Sequence, residues 1–339
     1  MADLLPSELP IVQAPMAGGP STPELTAAVS SAGGYGYVAA GYLSCEALRG
    51  QVERTRSLTD APFGVNVFVP SQRGDQASVR AYAASLQGEA DRLGVDLGAP
   101  LWNDDGYDEK LSLLGELGVH CASFTFGCPD ASDVNWLHVA GTLVLVTVTS
   151  LQEAVQARAA GADGLLVQGT EAGGHQARFL GDEVNATPLS RALDDIGEAG
   201  LPMIAAGGIM TGADARAAFD HGAIGVALGT ALLCTPEAAT SAVHRRALRD
   251  GLYTDTVVTR AFSGRYARGL RNRFASEHED APAAYPEIHH LTRPLRVAAT
   301  AAGDPDVPNL WAGTGWRQIS AEPAGAVVRR VAAEARNRP

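Results

Sequence analysis

Of the eight histidines in the chain, only His175 falls in a loop that follows a predicted strand, closing the run Gln168-Gly169-Thr170-Glu171-Ala172-Gly173-Gly174-His175. Two glycines before it let the backbone pass close to a flat ligand. An imidazole delivered there titrates near neutral pH and can act as general base, an effect worth roughly 10²–10⁴ in rate. The plainer alternative is an imidazole that only hydrogen-bonds its own loop. His120 begins a predicted strand and His221 ends a predicted helix, so both read as structural. His289 and His290 are neighbours whose side chains diverge, and strand ends one, three, seven and eight carry no Asp or Glu. No metal site is expected.

Two more glycine clusters carry chemistry. Ala205-Ala206-Gly207-Gly208-Ile209 and Leu228-Gly229-Thr230-Ala231 each follow a short apolar run. Small residues there leave backbone N–H groups converging on one point, a ready phosphate site to which helix dipoles add. Thr230 offers a hydroxyl donor; the alternative is that the glycines merely permit tight turns. Cys128, in Phe126-Gly127-Cys128-Pro129, has no basic neighbour to lower its pKa, so with Phe126 it reads as pocket lining before nucleophile. The run RAFSGRYARGLRNR at 260–273 either grips an anionic substrate tail or forms an ion-pair network.

These residues need a scaffold that brings distant turns together. Short apolar runs predict eight strands: 11–14, 35–39, 63–68, 120–126, 143–147, 164–168, 202–206 and 224–228. Between them lie helical patterns at 22–32, 45–58, 79–93, 108–117, 132–139, 151–160, 189–199 and 212–221. Ser150 and Thr211 are predicted N-caps, and Gly161 and Gly222 the matching stops. Such alternation means a parallel sheet, and eight repeats predict an α/β fold of the (β/α)8 TIM-barrel type with function at the strands' C-terminal ends. An open doubly wound sheet is the competing arrangement, but Gly33-Gly34-Tyr35-Gly36 precedes a strand instead of following one, which is not a dinucleotide fingerprint. The expected organisation is a barrel over 1–237, an inserted cap of mixed helix and loop over 238–295, and a C-terminal segment over 296–339 that packs back on the barrel and ends in a helix at 324–335.

Composition narrows the chemistry further. Of 339 residues, 46% are apolar and 19% charged, enough for a packed core. A formal charge of −12 disfavours nucleic acid and anionic membranes as partners. Lys110 is the only lysine, so Schiff-base chemistry would have to fall to that residue, and no phosphate-loop GK pair exists. Cys45, Cys121, Cys128 and Cys234 form no CxxC pair, which argues against zinc and a disulfide framework. With no apolar run of membrane-spanning length, a cytoplasmic location is expected.

QAPMAGG at 13–19, GVN at 64–66, VQGTEAGGH at 167–175, AAGGI at 205–209 and ALGTALL at 227–233 together resemble the nitronate monooxygenases, formerly 2-nitropropane dioxygenases. SGRYARGLRNRF at 263–274 and LWAG at 310–313 extend the resemblance into the C-terminal part. FMN-dependent enoyl-acyl-carrier-protein reductases share the framework. The resemblance implies FMN, with Gly207, Gly208, Gly229 and Thr230 at its phosphate, Leu228 among the residues that bind the cofactor, and Asn66 and Gln168 bonded to the flavin. It implies Ala14, Pro15, Met16 and Gly173 against the ring, His175 as the base, and Phe126 and Cys128 lining the substrate pocket. The implied reaction is FMN-dependent oxidation of small alkyl nitronates, and of nitroalkanes, with O2 to a carbonyl compound and nitrite. The alternative is an NAD(P)H-dependent FMN enoyl-thioester (ACP or CoA) reductase. A flavin-binding protein without turnover is a third reading, which the intact EAGGH disfavours. A homodimer is an open expectation. Tyr266 stands where many relatives are expected to carry proline, a departure that bears on substrate size.

Overall fold

The computed structural model describes residues 4–336; residues 1–3 and 337–339, the outer ends of the expected barrel and C-terminal segments, lie outside the described residues. In chain order the strands are β1 (Ile11–Gln13), β2 (Gly36–Ala39), β3 (Phe63–Phe68), β4 (Cys121–Thr125), β5 (Leu143–Val148), β6 (Gly164–Gln168), β7 (Gly174–His175), β8 (Met203–Ala206), β9 (Gly225–Leu228), β10 (Thr256–Thr259) and β11 (Ala267–Leu270). Eight of them form one parallel sheet in the order β1-β9-β8-β6-β5-β4-β3-β2. A parallel bridge between Val12 and Tyr35 joins its two edges. The fold is therefore the expected (β/α)8 barrel, and this closure removes the open-sheet alternative.

The strands read as nearly unbroken apolar runs because both of their faces are buried. In β5, Val144, Val146 and Val148 face the helix layer while Leu145 faces the barrel axis. The axis is filled at its lower end by Tyr35 and Tyr37, whose hydroxyls meet His120 Nδ1 at 2.8 Å and Cys121 Sγ at 3.4 Å. Gly64 exists to admit Tyr37: a Cβ there would lie 2.4 Å from its ring. Ser150 and Thr211 cap their helices as predicted, and Thr211 forms a capping box with Asp214.

Three findings differ from the sequence expectation. The helix expected over 79–93 is two, Gln76–Ser85 and Gln87–Leu93, broken at the buried Leu86. The break lets Val79, Tyr82, Leu86 and Ala90 face one core together with Phe262, Phe274, Ile288, Leu291 and Leu295. Second, the stretch 238–295, read as mixed helix and loop, contains strands: β10 pairs with β11 and β11 with β7, all antiparallel. β7 has only two residues, too few for any periodic signal. Third, the helix Glu287–Ala302 runs unbroken through position 295. The last helix, Ala324–Arg336, packs on Gly212–Asp220 and Pro23–Ser31 and so ties the chain's end to the barrel wall.

Candidate active site

β6 ends at Gln168, and the chain then turns over the barrel mouth to form β7. Gln168 holds that turn in place: its Nε2 donates to His175 O at 3.0 Å, and its Oε1 accepts from Ala177 N at 2.8 Å. β11 grips the other side, with Ala267 opposite His175. His175 is thus fixed by the backbone on both flanks. Its Nε2 lies 2.8 Å from Ser263 Oγ, and its ring packs among Phe126, Tyr285 and Trp311 at centroid distances of 5.6, 5.6 and 5.4 Å. Burial, then the guanidinium fields of Arg265 and Arg296, push its pKa down to about 3. At neutral pH the imidazole is uncharged and has a lone pair to offer.

The wall opposite is strained. Among the described residues, Tyr42, Asp105 and Phe126 are the non-glycine residues with positive φ, at 68°, 58° and 75°. Phe126 touches His175, and Tyr42 and Asp105 line the adjoining cleft with Tyr285. Strain gathered at one mouth is typical of a site whose geometry is over-determined by its surroundings. Tyr285 Oη donates to Tyr42 Oη at 3.0 Å, and Tyr42 N donates to Asp105 Oδ1 at 2.9 Å. Lys110 is 1% exposed, bonded to Asp105 Oδ2 at 2.7 Å and to Ala40 O at 3.0 Å. The one lysine of the chain is therefore a buried brace under this wall, not a nucleophile. His289 stacks on Tyr42 and His290 meets Asn103, yet the two imidazoles do not diverge as expected but meet edge to face at 5.3 Å; no cluster of metal-ligating side chains occurs among the described residues.

The remaining candidates gather at the neighbouring strand ends. Ala14 N donates to Leu228 O at 2.9 Å, so the ends of β1 and β9 lie side by side. The segment Ala14–Met16 is held from below by buried Gln13 and by Ser21, whose Oγ accepts from Met16 N at 2.9 Å. After β8 and β9, the amides of Gly207, Gly208, Gly229 and Thr230 donate to no acceptor among the described residues. Gly207 and Gly208 adopt φ of 130° and 70°, conformations that suit glycine. A segment that sequence reasoning did not place here closes the cradle: Gly313 N donates to Thr230 Oγ1 at 2.9 Å and Thr314 N to Glu171 O at 3.0 Å. The Thr230 hydroxyl proton stays free to donate outward. Free amides from two neighbouring turns and a free hydroxyl fit a phosphate monoester.

Other placements are less direct. The Leu228 side chain faces the helix layer, so only its backbone reaches this end of the barrel. Gly173 is pressed against Ala312–Gly313, where a Cβ would lie 2.5 Å from Gly313 N. The Asn66 amide donates to Ser123 and Thr125 on the neighbouring strand. Burial pushes the Cys128 thiol up to about 11, and its proton goes to Pro129 O, so it is a poor nucleophile. Sequence reasoning did not single out Gln13, Tyr42, Ser263, Tyr285 or Trp311. The signals present were the SGR and LWAG motifs, which carry Ser263 and Trp311, and QAPMAGG, which begins at Gln13.

A nitronate monooxygenase family model matches residues 1–333. A protein named probable nitronate monooxygenase from Staphylococcus aureus is 35% identical over 346 residues, covering 98% of this chain and 95% of its own. Among solved structures, a nitroalkane oxidase from Streptomyces ansochromogenes superposes with a TM-score of 0.95 at 48% identity, over 98% of this chain and 97% of that one. FabK from Thermotoga maritima gives a TM-score of 0.77 at 27% identity, covering 98% and 94%.

Proposed function

The chain belongs to the nitronate monooxygenase family of flavin-dependent oxidoreductases, and from that premise we propose that it binds FMN and oxidises small alkyl nitronates and nitroalkanes with O2 to a carbonyl compound and nitrite. The observation that carries this reading is a neutral, half-buried His175 at the same barrel mouth as a cradle of free amides. Gly207, Gly208, Gly229 and Thr230 would hold the phosphate, Ala14–Met16 would back the ring, and Gly173 with the braced Gln168 would border it. One phosphate cradle, without a dinucleotide glycine fingerprint, favours the mononucleotide.

Flavin, once bound, would supply the electron acceptor and the route to oxygen. The chain's own residues do the rest. His175 takes the α-proton of a neutral nitroalkane on its unprotonated nitrogen, while Phe126, Tyr285 and Trp311 keep water from that proton. A nitronate arrives with the proton already gone and uses the imidazole only for position. The test is His175→Ala with both substrate forms, with flavin reduction followed anaerobically. Neutral nitroalkane turnover should fall by roughly 10²-fold or more, and nitronate turnover by much less, at unchanged flavin content. Equal losses on the two forms would remove the base role. Rapid bleaching by NADPH with no response to any nitronate would refute the oxidation itself and favour enoyl-thioester reduction.

A further inference from the structure

The arginines of 260–273 sort themselves by partner. Arg260 pairs with Asp182 at 3.0 Å and lies 3.9 Å over the Tyr266 ring. Arg271 pairs with Asp255, and Arg273 with Glu89 and Glu277. Arg268 spends its donors on Thr170 and Thr256. Arg265 shares with Arg268 the lack of a carboxylate partner and differs in its surroundings. Its Nη1 donates to Arg178 O at 2.7 Å and its Nη2 to Ser71 Oγ at 2.9 Å, both neutral acceptors. Its Nε is sealed from solvent and has no hydrogen-bond partner. The guanidinium lies 4.3 Å over the Phe126 ring and 5.7 Å from that of Tyr285, the two rings that also flank His175.

A second cation stands behind it. Arg296 donates to Thr292, Asn309 and the His289 carbonyl, and again to no carboxylate. Neither arginine has an ion-pair partner among the described residues, yet both fields reach His175. Two buried cations without a counter-charge are costly unless something anionic shares the cavity, and aromatic faces offset only part of that cost.

We propose that the Arg265 guanidinium receives the oxygens of the substrate's nitro or nitronate group on the Nη hydrogens that Arg178 O and Ser71 Oγ leave unused, and that this site binds planar oxyanions as a class. The inference rests on nitronate oxidation as the reaction of the site. When His175 removes the α-proton of a nitroalkane, the C–H electron pair moves into the C–N bond and the negative charge settles on the two nitro oxygens. A guanidinium fixed there stabilises that charge with no reorganisation. The same anion offsets the two guanidinium fields at His175, so the imidazole is a stronger base with substrate in place than without it. Arg265 is then a catalytic residue and Arg296 a positioning residue acting through the field.

The test uses purified flavin-loaded enzyme titrated with sodium nitrate, a planar oxyanion that cannot be oxidised further, read by the change in flavin absorbance. Saturable binding is expected in the wild type, with Kd at least about tenfold higher in Arg265→Met. For an alkyl nitronate, kcat/KM should fall about 10²-fold in that variant, and Arg265→Lys, charge without the fork, should lie between. Arg260→Met should match the wild type in both assays. Nitrate binding that is absent in the wild type, or unchanged in Arg265→Met, overturns the proposal. If Arg265→Met loses its flavin, Arg265→Lys decides by the same nitrate shift. Loss of nitrate binding in the variants of an enzyme that no nitronate reduces would leave the oxyanion site standing and sink the nitronate reading instead.

Discussion

Lys110→Met isolates what the strained wall of the site costs to maintain. The ammonium is 1% exposed and 2.7 Å from Asp105 Oδ2, while Asp105 Oδ1 holds the amide of Tyr42. At an effective dielectric near ~20, that separation corresponds to an attraction of about 6 kcal/mol. Part is offset by desolvation, and breaking a buried pair from one side typically costs about 3–5 kcal/mol because a charge is left uncompensated. Burial already pushes the Asp105 carboxyl above its ordinary pKa with lysine present; methionine removes the main force opposing that shift. The folded state of the variant therefore binds a proton that the unfolded state has released, and its stability falls as pH rises past the unfolded carboxylate pKa. Denaturant unfolding of the flavin-loaded protein should show a deficit of about 3–5 kcal/mol near pH 7.5 that shrinks toward about pH 5. Adding Asp105→Asn should recover most of it, because no net charge remains buried. A single-variant deficit under about 1 kcal/mol, or one that grows on acidification, would refute the reasoning.

Gly208→Asp places a carboxylate among the free amides of the cradle, at a backbone φ of 70° and with Glu171 in contact; it should yield a folded barrel by circular dichroism that retains little or no flavin. A variant that stayed fully yellow would mean the phosphate lies elsewhere. For the free enzyme, the low pKa of His175 has a direct kinetic reading. The acid limb of kcat/KM for a neutral nitroalkane should stay flat down to about pH 4 in place of breaking near the ordinary imidazole value, and a break near about pH 6.5 would show that neither burial nor the fields of Arg265 and Arg296 hold the imidazole neutral.

How much of this could be seen in the sequence depended on how local each determinant is. β3, β6 and the helix Cys45–Leu58 coincide with their expected bounds, because runs such as FGVNVF and GLLVQ are buried on both faces and need no distant information. The glycine turns after β8 and β9 were legible for the same reason, each being a strand end, a turn and a helix start within a few residues. β7 was not, since a two-residue strand exists only because β11, about ninety positions later, lies beside it. The core that joins residues 79–90 to 262–295 was invisible on the same grounds.

The arginine run is the sharpest case. Its composition allowed an anion grip or an ion-pair network, and the structure contains both readings at once. Asp255, Glu277, Asp182 and Glu89, which neutralise Arg271, Arg273 and Arg260, stand from four to nearly two hundred positions away, so no local count of charge could show that Arg265 and Arg268 are left without one. A charged side chain becomes a functional candidate through the partner it lacks, and that is a property of packing. Arg265 is set apart because the fold surrounds it with Phe126, Tyr285, a serine hydroxyl and a peptide carbonyl, and its field adds to the burial that keeps His175 neutral. An enzyme that must stabilise a developing nitronate gains from a cation with nothing else to pair with.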